Sequence, residues 1–167
     1  MKTFLTGFLT AIVIPPLLVF LFLRLGFADV QADVRPPTWE SRMMFSAVHK
    51  SVARRAAGIV MPGAATEEGL VRGGRLFMNG CAGCHGRLGK PFAEDHTNYP
   101  GVPQLPHIGT EYTEPQIYWV VKHGVRMTAM SAYGRFYSEE ELWSIAAFLR
   151  QIRNLPAGAQ ERILAKP

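Results

Sequence analysis

The feature that most constrains this chain is a five-residue motif, Cys81-Ala82-Gly83-Cys84-His85, which contains both of its cysteines. The C-x-x-C-H spacing is typical of the attachment of c-type haem. In this interpretation Cys81 and Cys84 form thioethers to the vinyl groups of a single haem c, and the imidazole of His85 ligates its iron. The chain must then fold around one large covalent cofactor, which supplies part of its core.

Two other kinds of site use similar residues. A structural zinc ion normally takes four protein ligands, and this chain has no further cysteine; a histidine directly after Cys84 is also poorly placed to share a tetrahedral ion with it. A thioredoxin-like dithiol would need a preceding strand in a βαβ setting, whereas the residues before Cys81 have a helical pattern. The motif therefore favours haem.

The sequence around the motif predicts three main helices. Thr66, Thr113 and Ser138 are suitable N-cap residues, and the last two are followed three residues later by Gln116 and Glu141, which completes a capping box. Gly124 is typical of a helix end. The predicted helices cover residues 67–78, 114–123 and 139–153.

A low-spin haem iron needs a second axial ligand, and methionine opposite histidine raises the reduction potential. Met127 and Met130 both lie in the segment between the second and third predicted helices. No other methionine follows Met78. Spacing alone does not separate the two candidates.

With these elements the chain resembles the class I cytochrome c family, in its bacterial, single-haem, membrane-anchored form. The resemblance covers about residues 65–153. It is carried by Gly73 and Phe77, by the motif at residues 81–85, and by residues 118–130 and 141–149. It implies an all-α fold with three main helices around one covalent haem.

The resemblance also implies roles for particular residues. It points to Met130 as the second iron ligand, beside His85, although Ala129 and Ser131 stand where relatives often have glycine and proline. It implies that Gly73 and Phe77 pack against Ile145 and Phe148 of the last main helix. Finally, it implies that a backbone carbonyl within residues 100–108 accepts a hydrogen bond from the His85 ring.

The front of the chain predicts a membrane anchor. Residues 3–23 are almost wholly apolar and long enough to span a bilayer. We therefore expect residues 1–25 to be an uncleaved signal-anchor helix in contact with membrane lipid, although cleavage after Val30-Gln31-Ala32 is the alternative. Because c-type haem is attached outside the cytoplasm, the haem domain should lie on the periplasmic side of the cytoplasmic (inner) membrane, which the chain crosses once.

The remaining segments follow from composition. Residues 26–64 form a partly helical connector, 65–155 the cytochrome domain and 156–167 a short polar tail. Within residues 66–155 nine basic and nine acidic residues cancel, so the net charge of +5 arises outside this segment. The connector is basic, which fits either a solvated helix or contact with acidic lipid headgroups or a partner subunit. Its five basic residues are Arg35, Arg42, Lys50, Arg54 and Arg55.

These features predict a one-electron carrier rather than an enzyme. Both axial positions of the iron are filled, so no site remains open for substrate. Its redox partners would be a quinol-oxidising complex, a dehydrogenase or a terminal oxidase, and nucleic acid is not expected as a partner. The alternative is a fixed haem subunit of a larger membrane complex, and a haem enzyme or gas sensor with a labile sixth ligand is a minor alternative.

Overall fold

The computed structural model describes residues 2–92 and 98–165, and within these ranges the protein consists of helices and loops without β-strands. The all-α fold class predicted from the sequence is thus confirmed. The helices are α1 (Lys2–Arg24), α2 (Thr38–Ala56), α3 (Glu67–Gly80), α4 (Ala82–His85), α5 (Leu105–Ile108), α6 (Glu114–His123), α7 (Glu139–Gln151) and α8 (Ala157–Leu164).

The chain divides into two compact units, Met1–Ala32 and Asp33–Pro167. The first unit contains α1, which is long and apolar enough to cross a membrane and has no buried residue. The hydroxyl groups of Thr6 and Thr10 donate to the carbonyl oxygens four residues earlier, at 2.9 and 2.8 Å. These two hydroxyl groups are therefore satisfied within the helix, as an apolar environment requires.

The second unit contains the three predicted main helices, which are α3, α6 and α7. The N-caps lie where the sequence places them: Thr66 accepts a hydrogen bond from the backbone N–H of Gly69 at 3.1 Å. The backbone N–H of Thr113 donates to Gln116 at 2.9 Å. Ser138 and Glu141 complete a reciprocal capping box. Helix α3 continues two residues beyond its predicted end, and α7 ends two residues before its own.

The core forms where α3 crosses α7. Phe77 and Phe148 are fully buried, with ring centroids 5.4 Å apart. Gly73 lies so close to the backbone of Ser144 and Ile145 that any side chain there would collide with it. The interhelical contact implied by the family resemblance is thus confirmed, and it fixes the helix that leads into Cys81.

Two further helices pack on this core. Helix α2, within the predicted connector, contacts α6 and buries Val52 and Ala56. Residues 156–167, predicted from the sequence to be a short polar tail, include helix α8. Helix α8 packs on α3 and buries Ala159 and Ile163 because a short apolar stripe recurs at helical spacing.

Candidate functional site

The motif forms a tight helical turn at the end of α3. The backbone N–H of Cys81 donates to Phe77 at 2.9 Å, which continues α3 into the motif. The backbone N–H groups of Cys84 and His85 then donate to the carbonyl oxygen of Cys81, at 3.1 and 2.9 Å. Residues three apart on such a turn lie on one side of it, so the two thiols point to the same region.

The thiol of Cys81 is held in its neutral form. Burial, together with the neighbouring Cys84, raises its pKa from 9.0 to about 11. Reactive dithiols and zinc-binding cysteines need thiolates, which cationic surroundings favour. Within residues 2–92 and 98–165, moreover, no three histidine, cysteine or acidic side chains group so as to hold a metal ion. The raised pKa of Cys81 disfavours both the zinc and the dithiol alternatives.

The ring of His85 is oriented by the segment that precedes α5. Its Nδ1–H donates to the carbonyl oxygen of Pro103 at 3.0 Å, which confirms the implied acceptor within residues 100–108 and identifies it. Burial lowers the pKa of His85, although the hydrogen bond to Pro103 partly opposes this. Because Nδ1 is occupied by this bond, the neutral ring presents Nε2 as its free electron-pair donor.

The structure separates the two methionines that spacing leaves equivalent. Met130 is half-buried and packs against the hydrophobic core. Met127 is 89 % exposed and has a backbone φ of +60°, which turns the chain at that position. Of the two, only Met130 has its thioether in apolar surroundings within the domain.

The backbone around Met130 is held in a closed loop. Its N–H donates to the hydroxyl oxygen of Thr128 at 3.1 Å, and its carbonyl oxygen accepts from Val125 at 3.0 Å. Gly124 has a φ of +67° and lies so close to Met130 that a Cβ would come within 2.6 Å of the Met130 carbonyl oxygen. These contacts fix the loop without the glycine and proline of related sequences.

The segment that contains the motif, His85 and Met130 matches a known protein family. Residues 69–149 match the family model described as cytochrome C oxidase, cbb3-type, subunit III. These residues form a class I cytochrome c domain. No curated protein and no solved structure matches the chain. The matched segment points to haem-based electron transfer.

The donor set of the cytochrome c domain fits one haem c. Two thiols lie one helical turn apart, and the oriented imidazole of His85 follows them. The thioether of Met130 lies in a loop held by its own hydrogen bonds. Histidine and methionine are the axial ligand types of cytochromes c, in which methionine raises the reduction potential of the haem iron. The chemistry of the residues is therefore consistent with the cofactor that the family carries.

Two features of the cytochrome c domain are not evident from the sequence. Gln104 is buried, and its side-chain amide donates to the carbonyl oxygen of Cys84 at 3.0 Å, so it ties the segment around Pro103 to the motif. Tyr133 and Tyr137 stack with their ring centroids 5.8 Å apart. Burial and the nearby Cys81 raise the pKa of both tyrosines, which keeps their hydroxyl groups neutral. The i, i+4 spacing of the tyrosines was the only sequence signal for either feature.

Proposed function

We propose that this chain is a membrane-anchored c-type cytochrome that carries one electron at a time between protein partners. In this proposal Cys81 and Cys84 attach a single haem c, and His85 and Met130 ligate its iron. The bound haem supplies a centre that alternates between the ferric and ferrous states. The observation that carries the proposal is the hydrogen bond of His85 to Pro103, because it orients a neutral imidazole whose Nε2 is left to ligate.

The protein residues then have separate tasks. The bond to Pro103 holds the ring of His85 and raises its basicity as a ligand. Met130 contributes a thioether, which favours the reduced iron and raises the reduction potential. With His85 and Met130 both holding the iron, the protein would leave no position for a substrate, and electron transfer would require little rearrangement. These considerations favour a carrier over a haem enzyme or gas sensor.

The test is a pair of methionine variants. The ferric protein should show the long-wavelength charge-transfer band between sulfur and iron, and Met130→Ala should abolish it. Met127→Ala removes the same side chain from an exposed position three residues away, so it should leave the band unchanged. Loss of the band in the Met127 variant alone would contradict the assignment of Met130.

We further propose that residues 1–25 anchor the chain in the cytoplasmic membrane with residues 65–155 on the periplasmic side. The support is the length and apolarity of α1 and the attachment of c-type haem outside the cytoplasm. Residues 26–64 would connect the two. Extraction of membranes with alkaline carbonate, followed by haem staining, should leave the haem in the membrane fraction; haem released into the supernatant would refute the anchor.

A second candidate is a fixed haem subunit of a larger membrane complex, and the description of the matching family favours it. That description names a subunit of a cytochrome oxidase. The partners would then be other subunits, rather than proteins met in turn by a tethered carrier. Native gels of gently solubilised membranes separate the two candidates: haem migrating with larger subunits supports the fixed subunit, and haem migrating at the size of one small protein supports the carrier.

A further inference from the structure

One face of α2 contacts the rest of its unit at three points along the helix. Near its start, the Tyr99 hydroxyl donates to the hydroxyl of Ser41 at 2.6 Å. In its middle, the rings of His49 and Tyr112 lie 4.9 Å apart. Near its end, Val52 is only 1 % exposed. The orientation of α2 relative to the cytochrome c domain is therefore fixed.

The opposite side of α2 carries a different set of residues, here named the outer face. It consists of Trp39, Met43, Lys50 and Arg54, which are spaced by 4, 7 and 4 residues and so project within a narrow arc of the helix. Trp39 is 64 % exposed and Met43 56 %. Across residues 2–92 and 98–165, the side chains of Lys50 and Arg54 are exposed and join no ion pair.

This combination suits a lipid surface. Tryptophan and methionine bury apolar area at the boundary between headgroups and acyl chains, and lysine and arginine on the same side attract anionic headgroups. The only acidic residue in α2 is Glu40, and it lies outside the outer face. An acidic protein surface would also attract the two cations, but it would not by itself account for an exposed tryptophan and methionine beside them.

Chain connectivity supplies the second argument. Residues 25–37 join the end of α1 to the start of α2. Fully extended, this segment reaches at most about 45 Å. If α1 spans the membrane, the outer face therefore stays within reach of the headgroups, at a high effective concentration.

We propose that the outer face of α2 binds the anionic headgroup surface of the membrane that α1 enters. This inference rests on the anchored cytochrome of the proposed function. Because α2 is fastened to α6 on its other side, the contact would place α2 between the membrane and α6. The cytochrome c domain would then present one constant side to its partners rather than tumble on a flexible tether.

The test measures the exposure of single cysteines in the full-length holoprotein, reconstituted in nanodiscs whose two sides are both accessible. Ser46→Cys places a thiol beside the outer face, and Ser51→Cys places one on the same helix about 140° away around its axis. A neutral polyethylene-glycol maleimide modifies accessible thiols, and a haem-stained gel reports the shift in size. In discs with about 30% phosphatidylglycerol, modification at position 46 should be at least about tenfold slower than in neutral phosphatidylcholine discs, while position 51 should change by less than about twofold.

Neighbouring arginines provide a matched charge control. Arg54→Gln removes a charge from the outer face, and Arg55→Gln removes the same charge one residue further, about 100° around the helix. In anionic discs Arg54→Gln should accelerate modification at position 46 by about fivefold. Arg55→Gln should have an effect below about twofold, since its charge lies farther from the lipid.

The outcomes distinguish this proposal from the one on which it rests. Equal rates at position 46 in both kinds of disc, or equal effects of the two arginine variants, would overturn the lipid contact while the anchored cytochrome stands. Slow modification at position 46 in native membranes but not in anionic discs would assign the outer face to a protein partner and also overturn it. Loss of the haem band from the disc fraction would instead refute the anchor itself.

Discussion

Replacement of Gly73 by alanine would act at the closest approach of α3 and α7. A Cβ at this position would lie 1.9 Å from the carbonyl oxygen of Ser144 and 2.4 Å from its carbonyl carbon. These are backbone atoms within α7, so no side-chain rotation can relieve the collision. Restoring an ordinary contact requires the two helices to separate by about 1.5 Å, which would open the packing around Phe77 and Phe148.

The substitution has two opposing effects on the free energy of unfolding. Alanine improves the intrinsic stability of a helix interior by about 1 kcal/mol over glycine. Overpacking of a well-ordered core typically costs about 1–3 kcal/mol and can cost more when the backbone must move. Because the backbone of α7 must move, we expect the overpacking to cost about 3–4 kcal/mol, which leaves a net loss of about 2–3 kcal/mol in the free energy of unfolding. For a domain of this size that loss lowers the melting temperature by roughly 8–24 °C.

Helix α3 offers two matched controls, Gly69 and Gly74. At Gly69 a Cβ would meet only the hydroxyl oxygen of Thr66, at 3.3 Å, so alanine should be close to neutral there. At Gly74 it would meet the side chain of Ile163 at 2.4 Å and the ring of Phe148 at 3.0 Å. Since these are side-chain rather than backbone atoms, Gly74→Ala should cost an intermediate amount, about 1 kcal/mol.

The assay is guanidinium denaturation of the three ferric holoproteins in detergent, followed by haem absorption and far-ultraviolet circular dichroism. The expected order of stability is Gly69→Ala, then Gly74→Ala, then Gly73→Ala, with the denaturant slope unchanged. Equal stability of Gly73→Ala and Gly69→Ala, within about 0.5 kcal/mol, would show that α3 and α7 do not approach each other this closely.

Two further predictions concern α8 and a surface ion pair. Ile163 is 6 % exposed and Leu164 44 %. Ile163→Ala should therefore lower the free energy of unfolding by about 2–4 kcal/mol, and Leu164→Ala by less than about 1 kcal/mol. Equal losses in denaturation experiments would mean that α8 does not contribute to the core. Hydrogen bonds from Lys122 and Tyr118 hold the pKa of Glu139 below its ordinary 4.5. This stabilisation is present above that value and lost as the pH falls through the lowered pKa. At neutral pH the natural protein should therefore have a higher free energy of unfolding than Glu139→Gln, by less than about 1 kcal/mol because the ion pair is exposed. Denaturation experiments in acid should show no difference between the two proteins.

Local chemistry made the main helices predictable. Thr66, Thr113 and Ser138 each fix a helix start through hydrogen bonds between residues three apart, so the sequence contains all of the information that those boundaries need. The haem motif is local for the same reason, since its cysteines and histidine lie within one turn. Such features can be located without knowing how distant segments pack.

Other features depend on tertiary contacts and could not be read from spacing. Met127 and Met130 differ in burial because the chain turns at Met127 and closes onto Gly124, which no local pattern specifies. The acceptor for His85 could be confined to a range of residues but not identified. Helix α8 was missed because its few apolar residues are interrupted by charged ones, and its stability comes from contact with α3 rather than from its own sequence.

The crossing of α3 with α7 and the docking of α8 on α3 have a consequence for biogenesis. Both partners of the motif-bearing helix lie far downstream of Cys84 in the chain. If α1 is held in the membrane as an anchor, the chain after α1 crosses in order of sequence. The two thiols of the motif then reach the far side before α7 and α8, which cover α3, have crossed. Helices α7 and α8 are the last to cross and to pack on α3. The time available for attaching haem to the cysteines of the unfolded chain is therefore set by how quickly residues 139–164 cross the membrane.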